Sequence, residues 1–138
     1  MDFVEVAREL HGLVMEKRSA VILLVDDDSA LGLAMVDVLA EHGHLARFAS
    51  TAEEALTLLT APHRFDVVIL DLQLGSERGE WLVDRLRDHG SVVPAIVIHS
   101  GQALPELERA SRVIHAEVML HKPCSPQRLL EAIELARR

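Results

Sequence analysis

Two groups of carboxylates follow apolar stretches of this sequence, at points where a buried strand would end. Asp26, Asp27 and Asp28 come directly after the run VILLV, and Asp71 comes directly after DVVIL. Adjacent carboxylates repel one another, and each resists transfer out of water. Carboxylates packed together in this way need a cation. Hard oxygen ligands favour Mg²⁺ over Zn²⁺, and Mg²⁺ commonly shares its coordination sphere with a phosphate.

A hydroxyl and an ammonium group follow two further apolar runs. Ser100 and Gly101 come after PAIVIH, and Lys122 comes shortly after EVML. A lysine and a hydroxyl beside a metal suit the oxygens of a phosphoryl group. A carboxylate can itself be the nucleophile and form an aspartyl-phosphate. Asp71 is the best candidate for that role, because it stands alone after its run and can face both the metal and Lys122.

Each of these residues also has an ordinary structural interpretation. Asp28 is better explained as a helix-start residue than as a metal ligand, because acids favour the first turn of a helix. Asp26 could do the same, Ser100 could simply end a strand, and Lys122 could be solvated. Four separate accidents explain their joint occurrence poorly. The sequence therefore favours one site built from all four strand ends.

Short apolar runs alternate with amphipathic segments from residue 21 onward. The runs are rich in Val, Ile and Leu, as in parallel strands that helices cover on both faces. One segment opens with a predicted capping box, with Ser50 as N-cap and Glu53 at N3. The last segment opens with Ser125 as N-cap and Pro126 at N1. The predicted strands are residues 21–25, 44–49, 66–70, 94–99 and 117–120.

Five strand–helix units with short connections predict an α/β fold with an open, doubly wound parallel sheet. Functional groups in such sheets gather beyond the carboxyl ends of the strands, near the switch in strand order. The carboxylates, the hydroxyl and the ammonium group are therefore expected to meet at one edge of the sheet.

Composition narrows the class of protein. The chain has 138 residues, 49% of them apolar, which suits one globular domain with a real core. A formal charge of -8 argues against direct nucleic-acid binding. No apolar stretch approaches the ~20 residues that span a bilayer, and the acidic N-terminus is no secretory signal. The single cysteine, Cys124, excludes an internal disulfide and suits the cytoplasm.

Four motifs of this chain resemble those of response-regulator receiver domains of two-component signalling systems. LLVDDDSAL is similar to the acidic pair after the first strand of that family, and VVILDLQLGSERG to its phosphoacceptor segment. IVIHSG is similar to its Thr/Ser element, and HKPCSPQRLLEAI to its Lys-Pro element with the last helix. The resemblance covers about residues 20–138.

The resemblance implies a fold, a function and a set of roles. The fold would be flavodoxin-like, with five strands in the order 2-1-3-4-5. Asp71 would accept a phosphoryl group from the phosphohistidine of a histidine kinase or a histidine phosphotransfer protein. The domain would catalyse this transfer and later hydrolysis, as a signalling domain rather than an enzyme. Mg²⁺, or Mn²⁺ in its place, would bind Asp26, Asp27, Asp71 and the backbone carbonyl of Gln73. Phosphoryl contacts would come from Ser100, Gly101 and Lys122.

The sequence departs from the family pattern at several positions. Met119 stands three residues before Lys122, where the family usually has an aromatic ring that rotates with the hydroxyl. Gly75 stands where a proline is common, which predicts a looser loop after the phosphoacceptor. Cys124 replaces a common bulky residue, and Gly101 replaces the usual alanine. These departures bear on switching, since none removes a chemical group from the site.

The N-terminal residues form a separate segment in this interpretation. Residues 1–19 are predicted as a helical extension before a receiver domain at 20–138. The extension could pack on its own domain, be a frayed leader, form a homodimer or be the tail of a preceding domain. Two alternative functions remain open: a degenerate receiver that acts as an interaction module without phosphorylation, and the receiver portion of a hybrid sensor kinase. A stripe of five apolar residues marks the extension: Phe3, Val6, Ala7, Leu10 and Val14.

Overall fold

The computed structural model describes residues 2–6, 19–62 and 64–138. From residue 19 onward, strands and helices alternate, with one short hairpin between the third strand and the third helix. The strands are β1 (Val21–Val25), β2 (Leu45–Ala49), β3 (Val67–Leu70), β4 (Gln73–Leu74), β5 (Glu77–Arg78), β6 (Ala95–Ser100) and β7 (Val118–His121). The helices are α1 (Ser29–Glu41), α2 (Ala52–Thr60), α3 (Gly79–Asp88), α4 (Leu104–Ile114) and α5 (Pro126–Ala136).

Five of the strands form one parallel sheet in the order β2-β1-β3-β6-β7. This confirms the predicted flavodoxin-like order 2-1-3-4-5, once the antiparallel hairpin β4–β5 is set apart. β3 lies at the centre of the sheet, between β1 and β6. The strand order reverses beside β1 and β3, so the crevice for a ligand lies beyond their carboxyl ends.

The sheet is buried on both faces, which explains why its central strands are apolar throughout. Leu23, Val25 and Val68 belong to one core cluster, and Ile22 and Ile69 belong to a second cluster on the opposite face. Side chains of a strand alternate between the two faces. Helices α2, α3 and α4 contribute to the first cluster, whereas α1 and α5 contribute to the second.

Side-chain caps fix the starts of three helices. Asp28 is the N-cap of α1 and accepts a hydrogen bond from Leu31 N, as expected for a helix-start residue. Ser125 caps α5 and is followed by Pro126, as predicted. The predicted N-cap Ser50 is wrong, because Thr51 is the N-cap of α2 and accepts from Glu54 N. Ser50 instead donates its N–H and its hydroxyl to the Glu54 carboxylate.

The predicted N-terminal extension lies largely outside the described residues. Residues 3–6 are helical, and Phe3 is exposed. Three members of the predicted apolar stripe, Ala7, Leu10 and Val14, belong to a segment that the structure does not describe. Among the helices that it does describe, none has the length and apolar character to cross a membrane.

Candidate functional site

Three carboxylates meet at the carboxyl ends of β1 and β3. Asp26, Asp27 and Asp71 each present a carboxylate oxygen within 4.8 Å of the other two. Asp26 and Asp71 are buried, and Asp27 is exposed. Parallel pairing of β1 with β3 brings these residues together, since Val25 lies opposite Leu70. Asp28 stands apart from the cluster because its side chain caps α1.

Lys122 neutralises part of this charge. Its Nζ donates to Asp26 Oδ2 at 2.8 Å and to Asp71 Oδ2 at 3.0 Å. Desolvation alone would lower the pKa of Lys122, but the hydrogen bonds and charges of the two carboxylates outweigh it and raise that pKa. The ammonium group therefore stays charged at neutral pH and bridges the ends of β1 and β3.

Asp71 is buried, and its neighbours act on its pKa in opposite directions. Burial raises the pKa of Asp71 above its usual value, and the charge of Asp26 adds to this shift. Lys122 and the Gln73 N–H act in the opposite direction by lowering that pKa. Gln73 N donates to Asp71 Oδ1 at 3.2 Å, while Oδ2 faces Lys122. Both oxygens are thus fixed in direction.

Ser100 is the last residue of β6, and it is buried. β6 pairs with β3, the strand that Asp71 follows. Its carbonyl accepts from Lys122 N at 2.8 Å, which fixes the loop that carries the lysine. Its hydroxyl oxygen accepts from Gln102 N at 3.3 Å. Gly101 follows at the exposed rim, and an added Cβ there would meet no atom within 4 Å. Strand β7 beside β6 carries Met119, which is 36% exposed.

Sequence patterns did not reveal the hairpin β4–β5, which closes the site on one side. Gly75 N donates to Asp27 Oδ2 at 3.0 Å, so the loop with the predicted greater freedom has a hydrogen bond to the acidic cluster. Two-residue strands are too short for a periodic signal. The one available clue was the order Leu74-Gly75-Ser76-Glu77, in which glycine opens a two-residue connection.

A glycine fixes the base of this hairpin. A Cβ added at Gly79 would lie 2.5 Å from the backbone oxygen of Asp71, closer than real Cβ contacts. Gly79 N also donates to Leu72 O at 2.9 Å. Only glycine permits this close approach, so helix α3 begins directly against the strand end that carries Asp71.

A cavity of about 470 Å³ adjoins the site on the α1 side, beside the loop of Lys122. His99 forms part of its lining and is 4% exposed. Burial lowers the pKa of His99 to about 4, and the Lys122 charge adds to that shift. Its Nε2 lies 3.5 Å from Cys124 Sγ. At neutral pH the pair consists of an uncharged imidazole and a thiol whose pKa burial raises.

Comparison with known proteins places this geometry in a family context. The chain is 32% identical over 108 residues to the alginate biosynthesis transcriptional regulatory protein AlgB of Pseudomonas putida. That match covers 78% of this chain and 24% of AlgB, so the chain spans about a quarter of its relative.

Two solved structures share the fold. The chemotaxis protein CheY4 of Vibrio cholerae is 26% identical with a TM-score of 0.76, covering 84% of this chain and 97% of that chain. A response regulator of Burkholderia pseudomallei is 27% identical with a TM-score of 0.73, covering 83% and 66%. The latter was crystallised with a phosphorylated aspartic acid, a calcium ion and citrate.

The matched family region coincides with the sheet and its helices. The family model described as the response regulator receiver domain matches residues 22–134. This range includes the carboxyl ends of all five parallel strands and nearly all of α5. Receiver domains are signalling domains of two-component systems and not classical enzymes. With this match over most of its length, the chain belongs to the response regulator receiver domain family.

Proposed function

We propose that this receiver domain accepts a phosphoryl group on Asp71 from the phosphohistidine of a histidine kinase or a histidine phosphotransfer protein. The observation that carries the proposal is the convergence of three carboxylates with the Lys122 ammonium group at one edge of the sheet. Such a donor requires ATP-derived phosphate, so we place the domain in the cytoplasm. The family match and the intact set of charged groups favour this function over a degenerate receiver that never takes phosphate.

The donor set fits a hard divalent cation. Asp26, Asp27 and Asp71 offer carboxylate oxygens close enough to share one ion, and Mg²⁺ or Mn²⁺ would complete its sphere with the Gln73 carbonyl and water. Such an ion would neutralise the phosphoryl oxygens and hold them near Asp71. The calcium ion and phosphorylated aspartic acid of the Burkholderia pseudomallei neighbour support this assignment.

The chemistry asked of the chain is positioning and neutralisation of charge. An Asp71 carboxylate oxygen attacks phosphorus in line, the bond from phosphorus to the histidine nitrogen breaks, and the imidazole keeps its electron pair and takes a proton. Lys122, held beside Asp71 Oδ2, is placed to pair with the transferred phosphoryl oxygens. Ser100 and the Gly101 N–H, at the end of the neighbouring strand, would bind the phosphoryl group after transfer.

Phosphorylation would then shift an existing two-state equilibrium of the domain. The Ser100 hydroxyl accepts a long hydrogen bond from Gln102 N at 3.3 Å, a contact weak enough for the hydroxyl to turn toward the new phosphate. Met119 replaces the ring that usually follows this motion. A flexible thioether can repack but cannot swing as a rigid plate. We therefore expect a weaker structural response on β7 than an aromatic ring would give.

The direct test is phosphorylation by a small phosphodonor. Incubation with Mg²⁺ and acetyl phosphate is expected to add the mass of one phosphoryl group to the intact protein. Asp71→Asn is expected to add none, because it lacks the nucleophilic oxygen. Asp28→Asn is the matched control, since asparagine caps a helix as well as aspartate and this residue stands outside the cluster.

Two results would defeat the proposal. One is no gain of mass in the wild-type protein with either Mg²⁺ or Mn²⁺, which would favour a degenerate receiver. The other is an equal gain in the wild-type protein and Asp71→Asn, which would place the phosphoryl group elsewhere.

A further inference from the structure

The hairpin β4–β5 donates backbone N–H groups to two of the three carboxylates. Gln73 N donates to Asp71 Oδ1 at 3.2 Å, and Gly75 N donates to Asp27 Oδ2 at 3.0 Å. One donor, Gln73, lies in β4, and the other, Gly75, lies in the turn that follows it. A single short element thus orients both Asp71, which follows β3, and Asp27, which follows β1.

The turn geometry explains why the N–H of Gly75 is available. β4 and β5 pair with Leu74 opposite Glu77, which leaves Gly75 and Ser76 as a two-residue connection. Gly75 has a φ of +64, the pattern of a type II′ turn with glycine in first position. In a turn of this type the hydrogen bond joins the residues on either side of the central pair, so it does not use the N–H of the first central residue.

Space does not require glycine at this position. An added Cβ would find no heavy atom within 4 Å, so the positive φ is the constraint. A proline here would have no N–H to donate and could not reach this φ, because its ring fixes φ near −65°. The glycine therefore supplies both the backbone shape and the donor.

We propose that Gly75 is a positioning residue of the metal site, whose N–H holds the Asp27 carboxylate in the direction that binds Mg²⁺. Asp27 is exposed, and an exposed carboxylate without this contact would sample several rotamers. Because a carboxylate group is planar, the hydrogen bond that fixes Oδ2 also fixes the direction of Oδ1. This inference rests on the proposed function, since it assumes that Mg²⁺ binds these carboxylates.

Three substitutions separate the N–H from the backbone shape. Gly75→Asn keeps the N–H and tolerates positive φ, Gly75→Ala keeps the N–H but disfavours that φ, and Gly75→Pro removes the donor. Mg²⁺ affinity is measured by calorimetric titration of the unphosphorylated protein. We expect Gly75→Asn to stay within about twofold of wild type and Gly75→Pro to bind about tenfold more weakly, the lower end for groups that orient metal ligands.

Gly75→Ala is the decisive comparison. It is expected to bind Mg²⁺ more tightly than Gly75→Pro, because its N–H persists. Equal weakening in the two variants would show that the turn shape, and not the donor, sets the affinity. Wild-type affinity in Gly75→Pro would overturn the inference while leaving the metal site standing. A wild-type protein that binds no Mg²⁺ would overturn both this inference and the proposed metal.

A second measurement avoids any change to the hairpin and any metal. Amide hydrogen exchange at Gly75 is followed by NMR with a chelator present. Exchange is expected to be slow in the wild-type protein and in Asp28→Asn, and clearly faster in Asp27→Ala, which loses the acceptor. Equal exchange rates in Asp27→Ala and the wild-type protein would contradict the hydrogen bond on which the inference depends.

Discussion

At the scale of single residues, the site and its surroundings hold ionisable groups whose pKa values are shifted in opposite directions. Burial raises the pKa of Asp71, whereas it lowers the pKa of His99 to about 4. Lys122 stays charged between Asp26 and Asp71. At Lys122 the two carboxylates outweigh desolvation, whereas at Asp71 desolvation outweighs Lys122. His99 and Cys124 therefore form an uncharged pair next to the charged groups of the site.

Replacing His99 with leucine is expected to reduce the loss of stability in acid. In the unfolded chain His99 takes up a proton near its ordinary pKa of 6.5, but in the folded protein it does so only near pH 4. The free energy of unfolding is therefore lost as pH falls from 6.5 toward 4. Between pH 7 and pH 5, this group costs the wild-type protein about 2 kcal/mol. Urea denaturation at both pH values measures the difference.

His121→Leu is the matched control for that experiment. His121 lies on β7 next to Lys122, and it is exposed. Because this side chain remains in contact with solvent after folding, the variant is expected to keep the wild-type loss. If His99→Leu lost as much stability as His121→Leu between the two pH values, burial of the imidazole would not explain the acid sensitivity.

At the scale of secondary-structure elements, the strands were predictable and the short connections were not. The prediction for β1 matches residue for residue, and the other four parallel strands begin one residue later than predicted. Buried parallel strands carry a strong signal because both faces are apolar. The cap of α2 was misplaced because Ser50 and Thr51 are adjacent and chemically similar. Choosing between them depends on backbone angles that the sequence does not display.

Helix α1 packs on the sheet through Gly32, and the apolar pattern of the helix did not indicate this contact. A Cβ added at Gly32 would overlap the Phe48 ring, so the ring occupies the space of a side chain. The deeply buried face of α1 is Gly32, Met35 and Leu39.

Gly32→Ala is expected to destabilise the domain by about 1–3 kcal/mol, since overpacking outweighs the ~1 kcal/mol that alanine gains in a helix. Chemical denaturation measures the change. Adding Phe48→Leu should make the alanine much less costly, so the two substitutions are expected to couple in a double-mutant cycle. Gly101→Ala, which meets no atom within 4 Å, serves as the control and should change stability by less than about 0.5 kcal/mol. Additive effects at Gly32 and Phe48 would argue against the steric explanation.

At the scale of the whole molecule, the candidate site is a consequence of the parallel sheet. Asp26, Asp71, Ser100 and Lys122 lie at or just beyond the ends of four different strands, up to 96 residues apart in the Asp26–Lys122 pair. Parallel pairing brings these ends to one edge, which is why side chains at the ends of apolar runs predicted the site. The Asp27–Gly75 contact was not predictable, because it depends on one backbone N–H in a turn.

Because the site joins distant strands, removing the positive charge of Lys122 should destabilise the whole domain. Lys122→Met is expected to lower the free energy of unfolding by about 3 kcal/mol at pH 7 in the presence of a chelator, since the buried carboxylates of Asp26 and Asp71 lose the half-buried ammonium that they share. Adding Asp71→Asn to that variant should recover part of the loss, because one unpaired carboxylate is then removed. Thermal and urea unfolding of the two variants measure this recovery. A double variant less stable than Lys122→Met would mean that packing of the lysine stem, and not its charge, holds the strand ends together.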